Sequence, residues 1–183
     1  MTLVAETFSE TQLDLLSRAS SRVLHPSCVM VEPDVLSSIA SGLGAVTVPW
    51  ELRTGHVPLE RRYERLLITP VYEAWVICWP VGTALDLHDH GGSAGAFTVV
   101  AGQLEETTVE HGVVDVRRYQ PGETATFGPA HVHEMANGGD RLATSVHVYS
   151  PPLSVMEYYQ RDAQGALVAA RRDPAGWELA RSS

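Results

Sequence analysis

From about Tyr72 onward the chain is cut into short stretches by turn-forming residues, and this spacing restricts the fold more than any other feature. Glu73–Trp79, Ala84–His88, Phe97–Ala101, Leu104–Glu110, Val113–Tyr119, Thr124–Phe127, Val132–Met135 and Leu142–Tyr149 read as strands. Gly82, Gly91-Gly92, Gly102, His111-Gly112, Pro121-Gly122, Gly128-Pro129 and Asn137-Gly138-Gly139-Asp140 separate them. Short strands at such regular spacing predict an all-β core, either a sandwich or a jelly-roll barrel.

Ahead of the strands the pattern is helical. Ser9 and Gln12 have the spacing of a capping box, and Leu13, Leu16, Ala19, Val23 and Leu24 follow at helical intervals. Pro33-Asp34 opens a second helix carrying Val35, Leu36, Ile39 and Ala40, which Gly42 or Gly44 should end. A third short helix is expected from Pro58 towards Leu67. Residues 1–68 thus predict a helical cap and residues 70–160 a barrel core, within one domain of 183 residues, with a frayed tail from Ala169.

Charge and cysteine content exclude several classes of function. Thirteen basic residues stand against 22 acidic ones, a formal net charge of −9. A phosphate backbone or an anionic membrane calls for the opposite balance, so neither nucleic acid nor membrane is expected as a partner. No apolar run approaches a membrane span, and the acidic opening MTLVAETFSE has no basic segment leading into an apolar one. Cys28 and Cys78 cannot build a disulfide framework, which suits the cytoplasm. Nothing in the pattern specifies an oligomer.

The surplus is in histidine. Five of the eight fall between His88 and His133, and another is His147. In His88-Asp89-His90 the two histidines sit at i and i+2, so on a strand both imidazoles project from one face and Asp89 from the other. A metal needs donors converging from about two ångströms, and such a pair supplies two, with a third required from another strand. Imidazoles alone suit zinc, nickel, manganese or iron.

Gly82, His88, His90 and Gly102 follow the first sequence motif of the cupins, whose glutamate position is here Gly95. Gly122, His133 and Asn137 follow the second motif, although Gly128 and Ala130 replace its inner proline and glycine; His131 is off the spacing. More specifically, Cys78-Trp79, His88-Asp89-His90, Gly102-x-Leu104-x-Glu106-Thr107, His133-x3-Asn137 and Ser145-x-His147-x-Tyr149-Ser150-Pro151-Pro152 resemble the cysteine dioxygenase (thiol dioxygenase) family, over about Tyr63 to Leu153. The resemblance implies a cupin double-stranded β-helix with N-terminal helices, and Fe(II) bound by His88, His90 and His133. It also implies addition of both atoms of O2 to a small thiol, giving a sulfinate. Ser145, His147 and Tyr149 alternate on one strand face, and the resemblance makes them a relay that holds the Tyr149 hydroxyl near the reacting oxygen.

Three further expectations come with the family. Tyr63-x-Arg65 resembles its Tyr-x-Arg, whose arginine fork pairs with a substrate carboxylate and so favours L-cysteine; Arg61, Arg62 and Arg65 read equally well as a solvated helix face. Gly95 stands where mammalian members have a cysteine cross-linked to the tyrosine matching Tyr149, so that thioether cannot form here. Cys78 reads as a small buried hydrophobe. An all-histidine site leaves the metal charge to be offset by an anionic thiolate, in keeping with a sulfur substrate. The competing readings are a dioxygenase of another thiol such as 3-mercaptopropionate, a cupin isomerase, and a cupin that binds metal or ligand without turnover.

Overall fold

The computed structural model describes residues 29–110 and 113–174. The amphipathic segment from Ser9 to Leu24, the His111-Gly112 turn and residues 175–183 lie outside them. Two helices lead, α1 (Pro33–Val46) and α2 (Trp50–Thr54). Eleven strands follow: β1 (Arg62–Ile68), β2 (Glu73–Trp79), β3 (Ala84–His88), β4 (Ala94–Ala101), β5 (Leu104–Glu110), β6 (Val113–Tyr119), β7 (Thr124–Phe127), β8 (His133–Ala136), β9 (Ala143–Ser150), β10 (Val155–Arg161) and β11 (Leu167–Pro174). They form two antiparallel sheets, ordered β1-β2-β9-β4-β7 and β11-β10-β3-β8-β5-β6. Two sheets whose neighbours are mostly distant in sequence make the jelly-roll, or double-stranded β-helix, expected from the spacing.

The core lies between the sheets and beneath α1. Trp75, Trp79, Phe97, Val99, Leu104, Tyr119, Phe127, Met135 and Tyr149 fill the barrel. On the outer face of the first sheet, Ala74, Ala94, Ala96, Val146 and Val148 receive Leu36 and Ala40 of α1. Strand alternation explains the division: in β9, Ala143 and Tyr149 face the barrel while Val146 and Val148 face the helix. All eight residues of β9 are buried as a result.

Three expectations are corrected. No helix runs from Pro58 towards Leu67; Arg62–Ile68 is strand β1, paired antiparallel with β2 with a shift of register between Arg65 and Leu67. Glu, Arg and Leu favour helix locally, but the open edge of a buried strand supplies a whole ladder of backbone partners, and this overrides propensity. The second helix passes both glycines and ends at Val46, with Pro33 in its first turn. Gly44 stays inside it because a Cβ there would come within 2.8 Å of Thr98 Cγ2; the missing side chain lets α1 sit directly on β4. Ala169 begins no frayed tail: it lies in β11, hairpin-paired with β10. That hairpin turns on Asp162, whose Oδ1 accepts the amides of Gln164 and Ala166, and on Gly165 at φ +83°.

Asn137 ties the end of β8 to the rest of the barrel. Its Nδ2 donates to the carbonyls of Trp79 (2.7 Å) and Arg141 (2.8 Å), and its Oδ1 accepts the Gly139 amide (2.9 Å). The side chain is 1% exposed, so its loss strands buried carbonyls without partners. Asn137→Ala is expected to cost about 2 kcal/mol and to lower the thermal midpoint by roughly 5 °C, read by calorimetry.

Candidate metal centre

β3 and β8 are neighbours, and their register sets His88 opposite His133. β3 ends at His88, so His90 lies just past the strand and not within it. The chain there is held by Asp89, whose Oδ1 accepts the Gly91 amide (2.9 Å) and whose Oδ2 accepts the Tyr159 hydroxyl (2.7 Å) from β10. His90 is thereby turned into the same space as the other two. The ring centroids lie 5.0 Å (His88–His90), 4.8 Å (His88–His133) and 5.0 Å (His90–His133) apart. Each histidine is 1% exposed. One ligand atom from each falls within 4.8 Å of the others, a set that can hold a metal ion.

The ring nitrogens fit that use. His88 Nδ1 donates to the Asp86 carbonyl (2.7 Å) and His133 Nδ1 to Glu106 Oε1 (2.6 Å), which leaves both Nε2 atoms as acceptors. Both nitrogens of His90 are buried without a hydrogen-bond partner. An unsatisfied buried polar atom costs about 1–3 kcal/mol, and metal ligation removes that cost for the bound nitrogen. Burial, and for His88 and His90 the neighbouring imidazoles, push the histidines towards the neutral form that a metal requires; His133 is lowered less, because Glu106 opposes the effect.

Ser145, His147 and Tyr149 project from β9 into the same interior. Trp79 Nε1 donates to Ser145 Oγ (2.9 Å), Ser145 Oγ bonds His147 Nε2 (2.9 Å), and His147 Nδ1 lies 3.3 Å from the Tyr149 hydroxyl. Phe97 stacks on His147 at 5.3 Å. The Tyr149 ring is 5.2 Å from that of His90, so the row ends at the histidine cluster. Burial, followed by the charge of His133, takes His147 down to about 3, and it is neutral at ordinary pH.

Gly95 pairs with Tyr149 across β4 and β9. A Cβ at Gly95 would meet the Phe127 ring at 2.4 Å and the Val148 carbonyl at 2.7 Å. The space where a cysteine would stand is taken by Phe127, which stacks on His90 at 4.6 Å. Cys78 faces away from this interior, packed with Trp50, Val76 and Leu142, and burial raises its thiol to about 12. It behaves as the buried hydrophobe expected.

β1 places Tyr63 and Arg65 on the barrel face of the first sheet, opposite Ile77 and Trp75. Tyr63 meets Trp75 edge-on at 6.1 Å. The Arg65 guanidinium lies 5.4 Å over the Trp75 ring and 3.7 Å from Glu73 Oε2, and its side chain is 40% exposed. Arg61 lies over Trp79. The arginines therefore belong to a strand edge, not a solvated helix face.

Glu106 belongs to the sequence pattern but has no role assigned by it. It stands on β5, two residues beyond the buried Leu104, and the alternation that buries Leu104 turns the carboxylate inward as well; that was the available signal. Oε1 accepts from His131 Nε2 (2.9 Å) as well as from His133, and Oε2 accepts the Tyr119 hydroxyl (2.7 Å). His131 is thus a partner of Glu106, outside the three-histidine set.

A double-stranded β-helix with three buried, converging imidazoles defines a metal-binding cupin. Residues 58–162, more than half of the chain, match the model of the cysteine dioxygenase type I family, and the chain belongs to that family. Solved structures are similar over part of the chain. One is a protein from Thermus thermophilus (17% identity, TM-score 0.48, 55% of this chain and 93% of that one). Another is an uncharacterised double-stranded β-helix protein from Klebsiella pneumoniae (20%, 0.46, 62% and 86%). A third is a cupin sugar phosphate isomerase from Silicibacter pomeroyi (19%, 0.46, 61% and 76%).

The depressed histidines give metal-free protein a definite pH dependence. Unfolded histidine takes a proton near 6.5, while folded His147 resists until about 3. Stability is complete above pH 6.5 and falls as pH drops towards 3, by about 1.4 kcal/mol per unit for each such histidine. Urea denaturation at pH 7.5 and 5.5 should show the loss.

Proposed function

We propose that this protein is an Fe(II)-dependent thiol dioxygenase that converts L-cysteine and O2 to cysteine sulfinate. The observation that carries this reading is the three-histidine cluster, with its unpartnered His90 nitrogens, set beside Tyr149 in a chain of this family. The overall change is R–SH + O2 → R–SO2H, with both oxygen atoms retained. His88, His90 and His133 would hold iron(II), which when bound would supply the redox chemistry for adding O2 to a thiolate.

The remaining steps belong to side chains. We assign the row the sense Trp79 to Ser145 to His147 to Tyr149: the indole N–H can only donate, and in the His147 tautomer that carries its proton on Nδ1, Ser145 donates to Nε2 while Nδ1–H donates to the Tyr149 oxygen. The phenol proton is thereby directed away from the relay and towards the histidine cluster, where it steadies the reacting oxygen. Phe127 and Phe97 cover His90 and His147 and keep water from them. Arg65 receives the substrate carboxylate, with Tyr63 packed against the same tryptophan. Glu73 lies beside Arg65 and pairs across the sheet with Tyr149, so the arginine sits at the Tyr149 end of the barrel. The cytoplasm, where thiols stay reduced, suits both substrate and iron.

A thiol panel of L-cysteine, 3-mercaptopropionate and cysteamine tests the reading, with O2 uptake, sulfinate and iron measured on the same samples. Cysteine should give the highest kcat/KM; sulfinate from none of the three would end the proposal. His88→Ala and His133→Ala should lose iron and activity together. Tyr149→Phe should keep iron and lower kcat roughly a hundredfold. Arg65→Gln should raise KM for the two carboxylate thiols about tenfold or more and leave cysteamine unchanged.

A further inference from the structure

The three imidazoles have unequal support. His88 is hydrogen-bonded to a backbone carbonyl, His90 to no partner, and His133 to a carboxylate. The His133–Glu106 contact of 2.6 Å is shorter than an ordinary N–H···O bond of about 2.9–3.0 Å and has the length of a charge-assisted one. Glu106 is itself held on both oxygens. Tyr119 fixes Oε2 from β6, and Tyr119 is in turn clamped edge-on by Phe97 (4.9 Å) and covered by Arg117 (4.9 Å). His131 fixes Oε1 from the turn before β8, its ring stacked on Phe127 (5.4 Å). The carboxylate is 7% exposed, yet none of its contacts is to an arginine or lysine among the described residues.

Glu106, His131 and His133 also form a second group within metal-binding distance of one another. An ion between them would stand about 2.0–2.2 Å from each donor atom. Glu106 Oε1 already touches both ring nitrogens at hydrogen-bond length, so this group reads as a hydrogen-bonded network. The three-histidine group itself, meanwhile, includes no carboxylate.

We infer that Glu106 is a positioning residue for the metal centre: held by Tyr119 and His131, it orients His133, fixes its tautomer and delivers negative charge to the metal at one remove. The inference rests on the three-histidine reading above. A carboxylate behind an imidazole makes it a stronger donor, and losing such a partner weakens metal binding roughly 10–100-fold. Glu106→Gln keeps the size of the side chain but gives up the charge and one acceptor, and its amide cannot accept from both sides. Tyr119→Phe leaves His133 and Glu106 in place and frees only Oε2.

The test is titration of metal-free protein with Co(II) and Fe(II), with dissociation constants and the visible Co(II) absorption spectrum recorded for each variant, and folding checked by circular dichroism. Glu106→Gln should weaken both metals roughly 10–100-fold and shift the Co(II) bands, Tyr119→Phe should do so by a smaller factor in the same direction, and Glu105→Gln, next along β5, should match wild type. Wild-type affinity and an unshifted spectrum in folded Glu106→Gln would overturn the inference; should that variant not fold, the same result in Tyr119→Phe would overturn it. Metal binding that survives His88→Ala but is lost in His131→Gln would also overturn it, in favour of the Glu106–His131–His133 group. If wild-type protein binds neither metal, it is the three-histidine reading that fails.

Discussion

Strand β9 is buried on both faces, and the molecule is organised around that fact. It pairs with β2 on one side and β4 on the other, so every backbone group from Ala143 to Ser150 lies within the middle of a sheet. A period of two then sends Val146 and Val148 under α1 and sends Ser145, His147 and Tyr149 into the barrel. A slip of one residue would exchange the two sets, placing the polar row against the helix and valines against the metal centre. The apolar contacts beneath α1 thus fix the register on which the chemical row depends.

The barrel interior uses its low polarity in two ways. It makes protonated imidazole unfavourable, so His88, His90, His133 and His147 are presented neutral, as ligation and a directional hydrogen-bond row require. It also makes any unmatched polar atom expensive, and nearly every polar group there has a partner. Glu106 has three, Asn137 has three and Ser145 has two, while His90 carries two unmatched nitrogens and Trp75 one. His90 stands in the three-histidine cluster, where a metal would supply a partner for the ligating nitrogen.

Aromatic packing substitutes for covalent restraint around Tyr149. With glycine at position 95, Phe127 moves against β4 and stacks on His90, and Phe97 stacks on His147. The tyrosine is placed by register and ring contacts, and among the described residues no cysteine stands beside it. Cys78 is buried in a different cluster with a thiol that resists ionisation, so it offers no replacement.

Local signals determined much of this protein. Turn residues marked the eight strands from β2 to β9 closely, because Gly, Pro and Asn-Gly punctuation acts within a few residues. The pair spacing marked His88 and His90, the resemblance to the cupin motifs singled out His133 over His131, and alternation put Ser145, His147 and Tyr149 on one face. What the sequence could not decide depends on partners distant in the chain. Arg62–Ile68 is a strand only because β2 offers an edge, and β11 is ordered only because β10 does. The inward turn of His90 relies on Tyr159, 70 residues away, holding Asp89. Glu106 acquires its place behind His133 from the pairing of β5 with β8, in which Thr108 lies opposite that histidine. Residue types and periodicity determined which groups could ligate and donate; only the folded barrel decided which groups stand behind them, since hydrogen bonds across a sheet join positions that no local pattern relates.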